Sequence, residues 1–288
     1  MNPYVQSLRL RTLPLSVSGI ILGTGLAFSA QPTAISCRQW FIFALAICTT
    51  LSLQILSNLS NELGDALKGT DAEQKGRAVY GLQAGTITFA QIMRMIWLFV
   101  VLSLVFGGAL IFCAFGSFFA AQSLVFYALG LLAIIGAVTY TLGKHSYGYI
   151  GLGDLGVFLF FGLLSTMGAY YLQTQTMTWD VFWSGVAIGL PCVGVLNLNN
   201  IRDMSNDIKH GKRTFASLLG PLGARVYHTA LIAGCPVIFT LYGRWWTLCL
   251  LPVWAWHVWY VWTHTDRLDR HMPVLMFTTL LVALLVIW

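Results

Sequence analysis

Two short polar segments hold most of the acidic side chains of this chain. The first is Asn61–Asp71 and the second is Asn197–Thr214. Asp203 and Asp207 are four residues apart, so on a continuing helix both carboxylates project from one face, one turn apart. Carboxylates that close repel each other unless a cation lies between them. Because basic residues flank both segments, an anion would accompany that cation, and magnesium diphosphate is the simplest ligand. Six of the ten acids lie in or just after these segments: Glu62, Asp65, Asp71, Glu73, Asp203 and Asp207.

The two segments share one spacing. Asn61 precedes Asp65 by four residues, and Asn199 precedes Asp203 by the same interval. If each segment ends a helix, the two would face each other at one mouth of a helical bundle, a natural place to bind a metal-bridged anion. The repeated spacing also predicts that the single domain, residues 1–288, is a distant repeat of two four-helix units.

The elements that position these segments are predicted to cross a membrane. The chain has 57% hydrophobic and only 9% charged residues, with a mean hydropathy of +0.75, which excludes an ordinary soluble domain. A helix needs about 20 apolar residues to cross the hydrocarbon layer. The sequence therefore predicts an all-α polytopic membrane protein with about nine transmembrane helices in one bundle. The predicted spans are 13–31, 39–60, 95–115, 122–142, 152–172, 181–200, 223–243, 245–263 and 271–288.

The basic residues indicate the orientation of this bundle. Of the sixteen lysines and arginines, only Arg38 and Arg244 fall outside the N-terminus and the loops after the even-numbered spans. Basic loops remain in the cytoplasm, so the N-terminus and both acidic segments are predicted to be cytoplasmic. The net charge of +6 thus reflects membrane topology and gives no indication of nucleic-acid binding.

Two residues outside the acidic segments have two interpretations each. Arg11 precedes the first span and serves either as an interfacial anchor or as part of the site. Asp154 begins the fifth span, after a loop rich in glycine and tyrosine. It either caps the helix or faces the pocket, since acids at membrane depth are costly and usually functional.

Other residue types give no sign of a second site. The six cysteines lack Cys-x-x-Cys spacing and are interpreted as packing residues. The histidines lack metal-ligand spacing. The glycines of the third and fourth predicted spans are expected to let neighbouring helices pack closely.

Three stretches carry a family resemblance: Arg11–Pro14, Tyr149–Gly162 and Asn199–Thr214. With the two acidic segments on alternate cytoplasmic loops, the chain resembles the UbiA-type intramembrane aromatic prenyltransferases over nearly its full length. Within that family the three stretches look like the 1,4-dihydroxy-2-naphthoate polyprenyltransferases of menaquinone synthesis. The 4-hydroxybenzoate branch is similar in architecture but usually has a different second motif.

The resemblance implies a central cavity open to the membrane, with Mg²⁺ held by both acidic segments. The metal ligands implied are Asn61, Asp65, Asp203 and Asp207, and the catalytic residues are Asp65, Asp203 and Asp207. The residues expected to bind the diphosphate are Arg202, Lys212, Lys68 and Arg77. The residues expected at the acceptor pocket are Asn199, Tyr140, Asp154 and Arg11.

The first motif departs from the family at Glu62, where an aspartate is usual. Magnesium requires near-ideal octahedral geometry at short distances, so a longer side chain cannot simply replace a bound aspartate. We therefore expect Glu62 to act behind the direct ligands, by holding a metal-bound water or by pairing with Lys68 or Arg77. On this interpretation Glu62→Gln lowers magnesium-dependent turnover less than Asp65→Asn does, and Glu62→Asp is tolerated.

The activity implied is transfer of a polyprenyl group from its diphosphate to 1,4-dihydroxy-2-naphthoate with decarboxylation, giving demethylmenaquinone. The implied location is the bacterial cytoplasmic membrane, with the site facing the cytoplasm and no obligate protein partner. Transfer to 4-hydroxybenzoate or another aromatic acceptor is the alternative within the family. A cation-coupled transporter is the alternative from another class, but such a protein is expected to place its acids near the membrane midplane.

Overall fold

The apolar stretches form long helices in the computed structural model of the protein, which describes residues 2–31, 35–70, 80–144, 146–264 and 267–287. The α-helices are α1 (Pro3–Ser7), α2 (Leu13–Ala30), α3 (Cys37–Leu67), α4 (Phe89–Phe115), α5 (Ala121–Thr139), α6 (Gly153–Val157), α7 (Ser165–Thr174), α8 (Trp179–Lys209), α9 (Phe215–Leu241), α10 (Leu251–Thr263) and α11 (Met272–Val286). Short 3₁₀-helices cover Leu10–Thr12, Tyr147–Tyr149, Trp245–Leu250 and Leu268–Arg270, and a π-helix, Phe158–Leu164, joins α6 to α7.

The helices are those of an integral membrane protein. Within the described ranges, eight helical segments are long and apolar enough to cross a membrane. The eighth predicted span differs from the others, because residues 245–263 form a 3₁₀-helix followed by the 13-residue α10. The all-helical membrane fold is thus confirmed. The count of nine spans, the repeat and the cytoplasmic N-terminus stay predictions.

Two helices of equal length carry the acidic segments. Both α3 and α8 have 31 residues, and each begins at a side-chain cap, Ser36 for α3 and Thr178 for α8. At 1.5 Å per residue, 31 residues extend about 46 Å, whereas the hydrocarbon layer is about 30 Å thick. Each helix can therefore cross the membrane and still present its C-terminal turns, which carry the acids, beyond the apolar layer.

Glycine allows close packing at α8, but only at some of the positions in the third and fourth spans where the sequence predicts it. A Cβ atom on Gly162 would lie 2.7 Å from the Cα of Gly189, so the π-helix and α8 are in backbone contact there. In the third and fourth spans, Gly136 packs against a phenylalanine ring, but a Cβ on Gly108 or Gly130 would meet nothing within 4 Å. The prediction of close packing is wrong for these two glycines.

Buried polar contacts join the last helices of the bundle. His228 of α9 and His257 of α10 are fully buried, and their Nε2 atoms lie 2.9 Å apart. The indole Nε1 of Trp254 in α10 donates to Thr278 Oγ1 of α11 at 3.0 Å. These contacts fix α9, α10 and α11 relative to one another.

Candidate active site

A cavity of roughly 380 Å³ lies between the helices and contacts both acidic segments. Its lining on α3 runs from Ala46 to Asp65, an interval of 19 residues that corresponds to about 28 Å of helix. The polar lining includes the C-terminal ends of α3 and α8 and the arginines before α2, Arg9 and Arg11, whereas α4, α5, the π-helix and α7 contribute mainly apolar side chains. The cavity thus joins a charged mouth to an apolar interior.

The first acidic segment contacts neutral partners. Asp65 is 8% exposed, and its Oδ1 accepts a hydrogen bond from the hydroxyl of Tyr149 at 2.8 Å. The hydroxyl of Thr141 donates to Asn61 Oδ1 at 3.2 Å. Asn61 and Asp65 both line the cavity. The amide and the carboxylate therefore reach the same space, as their spacing predicts.

Glu62 lies on another face of α3 and serves a different purpose. It is 1% exposed, and its Oε1 accepts hydrogen bonds from Ser7 Oγ at 3.2 Å and from the backbone N–H of Leu82 at 2.7 Å. The Lys68 ammonium, one of the two pairing partners considered for Glu62, instead donates to Ser146. Glu62 thus attaches the N-terminal helix α1 and the chain at residue 82 to α3.

The second acidic segment is paired with cations. The guanidinium of Arg202 binds both oxygens of Asp203, from Nε to Oδ1 at 2.7 Å and from Nη2 to Oδ2 at 2.5 Å. Its Nη1 binds the carboxylate of Asp269, in the 3₁₀-helix before α11. Asp269 in turn lies 3.7 Å from Nη1 of Arg11. Two carboxylates therefore already hold the cation that the sequence assigns to the diphosphate.

Asp207 is the most deeply placed acid of the second segment. It is 1% exposed, and Lys212 Nζ lies 3.4 Å from its Oδ2, an ion-pair distance longer than a well-formed hydrogen bond. Its Oδ1 has no hydrogen-bond partner. Lys212 lines the cavity and Asp207 does not, although Asp207 interacts electrostatically with Asp203 and Asp65. A buried oxygen without a partner is costly, so this carboxylate is suited to binding a cation.

The structure brings most of the predicted residues to one cavity. Those that line it are Arg11, Asn61, Asp65, Tyr140, Asn199, Arg202, Asp203 and Lys212. Those outside the lining are Glu62, Lys68, Asp154 and Asp207. Asp154 lies in the first turn of α6 and accepts a hydrogen bond from Tyr227 of α9, and both of its interpretations stay predictions. Arg77 lies outside the described residues.

Sequence reasoning missed two residues that organise the site. Asp269 is far from both acidic segments in sequence, and no motif marks it, yet it lies between Arg11 and Arg202. Tyr149 begins one of the stretches that carry the family resemblance, but its contact with Asp65 could not be read from that stretch. Burial and the nearby Asp65 raise the pKa of Tyr149 above its ordinary value, so its hydroxyl remains a donor.

The donor set fits a magnesium ion. Within the residues that the structure describes, no group of three His, Cys, Asp or Glu side chains is close enough to share a metal. Magnesium needs no such cage, because it usually keeps several waters and binds one or two carboxylates together with substrate phosphates. Carboxylate and amide oxygens from α3 and α8 line the mouth, and the unpartnered Oδ1 of Asp207 lies beside it.

Comparison with known proteins gives the family. The UbiA prenyltransferase family matches residues 16–285. The chain belongs to this family. It is 40% identical over 259 residues to 1,4-dihydroxy-2-naphthoate octaprenyltransferase of Escherichia coli (strain K12), covering 88% of this chain and 79% of that protein. It is 38% identical over 233 residues to the protein of that name from Haemophilus influenzae (strain ATCC 51907 / DSM 11121 / KW20 / Rd), covering 81% of this chain and 74% of that protein.

Solved UbiA structures share the fold. The UbiA homolog from Archaeoglobus fulgidus bound to GPP and Mg²⁺ aligns with a TM-score of 0.65 at 14% identity, covering 99% of each chain. The apo structure of the UbiA homolog from Aeropyrum pernix K1 aligns with a TM-score of 0.60 at 17% identity, covering 96% of this chain and 98% of that one. At these identities the likeness shows the fold alone.

Proposed function

We propose that this UbiA-family protein transfers a polyprenyl group from its diphosphate to 1,4-dihydroxy-2-naphthoate, releasing carbon dioxide and diphosphate and giving demethylmenaquinol, the reduced form of demethylmenaquinone. The observation that carries the proposal is a single cavity whose mouth holds acids and bases and whose interior is apolar. The names of the relatives support the naphthoate acceptor over 4-hydroxybenzoate.

The charged mouth would bind the diphosphate. In this proposal Asn61, Asp65 and Asp203 hold Mg²⁺ from the cavity wall, with Asp207 beside them. When bound, Mg²⁺ supplies Lewis-acid neutralisation of the diphosphate charge. Lys212 adds positive charge at the same place, and Lys68 and Arg202 lie close by. Arg202 contributes less directly, because two carboxylates already share its guanidinium.

The apolar interior would protect the reacting carbon. The allylic C–O bond breaks, and the diphosphate leaves with the bonding electrons. Phe160, Phe161 and Leu164 line the cavity and exclude water from the allylic cation. The ring carbon that carries the carboxylate then forms the new C–C bond, and the electron pair of the departing carboxylate restores aromaticity as CO₂ leaves. No side chain is needed to remove a ring proton at that carbon.

Turnover of the purified protein tests this function. The protein in detergent, with Mg²⁺ and octaprenyl diphosphate, is expected to prenylate 1,4-dihydroxy-2-naphthoate with one CO₂ released per product, and excess EDTA is expected to abolish turnover. Faster prenylation of 4-hydroxybenzoate would assign another acceptor. Full turnover in EDTA would contradict the metal site.

We further propose that the site faces the cytoplasm of a bacterial cell. The support is the uneven distribution of bases, which leaves only Arg38 and Arg244 in the predicted outer loops. Two exposed cysteines, Cys37 and Cys249, are within five residues of those arginines in the sequence. In spheroplasts, a membrane-impermeant maleimide should label these cysteines. In a variant with Cys37 and Cys249 replaced by serine, a cysteine introduced by Lys209→Cys should be labelled only after permeabilisation, and the reverse pattern would invert the orientation.

A further inference from the structure

Tyr149 contacts charged groups of both acidic segments. Its hydroxyl donates to Asp65 Oδ1 at 2.8 Å, and Lys68 Nζ lies 3.6 Å from the centroid of its ring. Lys212 Nζ, from the second segment, lies 5.4 Å from the same centroid. Both distances fall within the range over which an ammonium group is attracted to an aromatic face. One side chain thus contacts a carboxylate and two cations of the proposed diphosphate site.

The position of Tyr149 is itself fixed from both sides. The hydroxyl of Thr70 lies 2.7 Å from that of Tyr149, and it must be the donor because the Tyr149 proton goes to Asp65. The backbone carbonyl of Tyr149 accepts from Arg213 N–H at 3.0 Å, and Ile150 forms an isolated β-bridge with Arg213. The Tyr149 loop therefore connects the chain after α3 to the chain after α8.

The two ammonium groups near this ring repel each other. Burial, together with the charge of Lys212, lowers the pKa of Lys68, while Asp65 opposes that change. Lys68 also donates to Ser146, so its position beside the ring is held from two directions. Although Asp65 and Asp207 lie near them, two cations held beside one ring are suited to binding a dianionic ligand such as diphosphate.

We propose that Tyr149 is a positioning residue for the diphosphate, which holds Lys68 and Lys212 with its ring and orients Asp65 with its hydroxyl. This inference rests on the proposed function, because the ligand is the diphosphate of the prenyl donor. Tyr149 lies outside the cavity lining and acts through its neighbours. Losing such a supporting contact typically weakens ligand binding about 10- to 100-fold.

Two substitutions separate the ring from the hydroxyl. Tyr149→Phe keeps the aromatic face and removes the hydrogen bond to Asp65, whereas Tyr149→Leu removes both. Tyr242→Phe is the matched control, because Tyr242 follows α9 and lies outside the cavity lining. The measurements are calorimetric binding of inorganic pyrophosphate with Mg²⁺, the KM for each substrate and the thermal unfolding midpoint.

We expect Tyr149→Phe to weaken pyrophosphate binding and raise the KM for the prenyl diphosphate about tenfold, with the KM for the aromatic acceptor unchanged. Tyr149→Leu should weaken pyrophosphate binding further, and the control should match the wild type. Equal rises in both KM values, or unchanged pyrophosphate binding in a folded Tyr149→Leu variant, would overturn the role of Tyr149. Failure of the wild type to bind pyrophosphate or transfer a prenyl group would instead overturn the proposed function.

Discussion

The two acidic segments have the same spacing and opposite surroundings. In the first, Asp65 and Asn61 accept hydrogen bonds from neutral hydroxyl groups. In the second, Arg202 binds both oxygens of Asp203, and Lys212 pairs with Asp207. A neutral donor leaves the carboxylate with its full charge, whereas an ion pair largely neutralises it. The segments therefore differ in how much negative charge each offers to a cation.

This difference assigns distinct tasks to similar motifs. The first segment offers the oxygen ligands of Asn61 and Asp65 and relies on the hydroxyl of Tyr149 to orient Asp65. The second brings its own cations, so a diphosphate arriving there meets Lys212 and Arg202 as well as the acids. The Asn-x-x-x-Asp spacing that the two segments share thus predicts that both serve one site, but it does not predict equal roles.

The largest expected effect is loss of a cavity-lining acid. Asp65→Asn and Asp203→Asn should each lower turnover by about 10² to 10³, the size typical of removing one key electrostatic contact. Asp180→Asn is the matched control, since Asp180 pairs with Arg244 near the start of α8, the end opposite the acids. Turnover and pyrophosphate binding in Mg²⁺ check the prediction. A near-normal Asp65→Asn enzyme would leave the second segment as the sole metal site.

Arg202→Lys tests whether the cation pairing of the second segment matters. Lysine keeps the charge but cannot bind Asp203 through two parallel bonds and reach Asp269 as well. We expect a roughly tenfold fall in kcat/KM for the prenyl diphosphate, within the usual range for contacts that orient a ligand. Lys209→Arg, at the exposed end of α8, is the control. Unchanged kinetics would show that the Asp203–Arg202–Asp269 pairing has no part in binding.

Glu62 provides a smaller test, and here the structure revises the expectation drawn from the sequence. Glu62→Gln keeps an oxygen that accepts from Ser7 and Leu82, whereas Glu62→Asp is too short to reach both. The aspartate variant, expected from sequence to be tolerated, should lose about 1 to 3 kcal/mol of unfolding free energy by leaving a buried donor unpaired. Thermal unfolding of Glu62→Gln and Glu62→Asp measures which of the two variants is less stable. A more stable aspartate variant would contradict the attachment role.

The smallest expected effect is a pH dependence from Lys68. Its pKa is lowered, mainly by burial, so its ammonium loses a proton at a lower pH than an ordinary lysine does. Diphosphate binding should therefore weaken as the pH rises through that lowered value. Lys68→Arg keeps its charge over this range, so its KM for the prenyl diphosphate should stay level to higher pH. If the wild type and Lys68→Arg show the same dependence of this KM on pH, the charge of Lys68 does not contribute to diphosphate binding.

The sequence alone determined the class of fold and much of the site. Composition and span length fix a helical membrane protein because the hydrocarbon layer satisfies no backbone polar group, and helices satisfy their own. Spacing placed Asn61 with Asp65 and Asn199 with Asp203, and all four line the cavity. These are local properties, set by helix geometry over one or two turns.

Only the tertiary structure decided which partner each charged residue has. Glu62 accepts hydrogen bonds from Ser7 of α1 and from Leu82, and Asp269 binds Arg202. Tyr149 contacts both acidic segments. Asp269 and Arg202 are 67 residues apart, and no periodicity relates them. Their contact depends on how α8 and α11 pack together, a long-range outcome of side-chain fit across the bundle that local spacing does not encode.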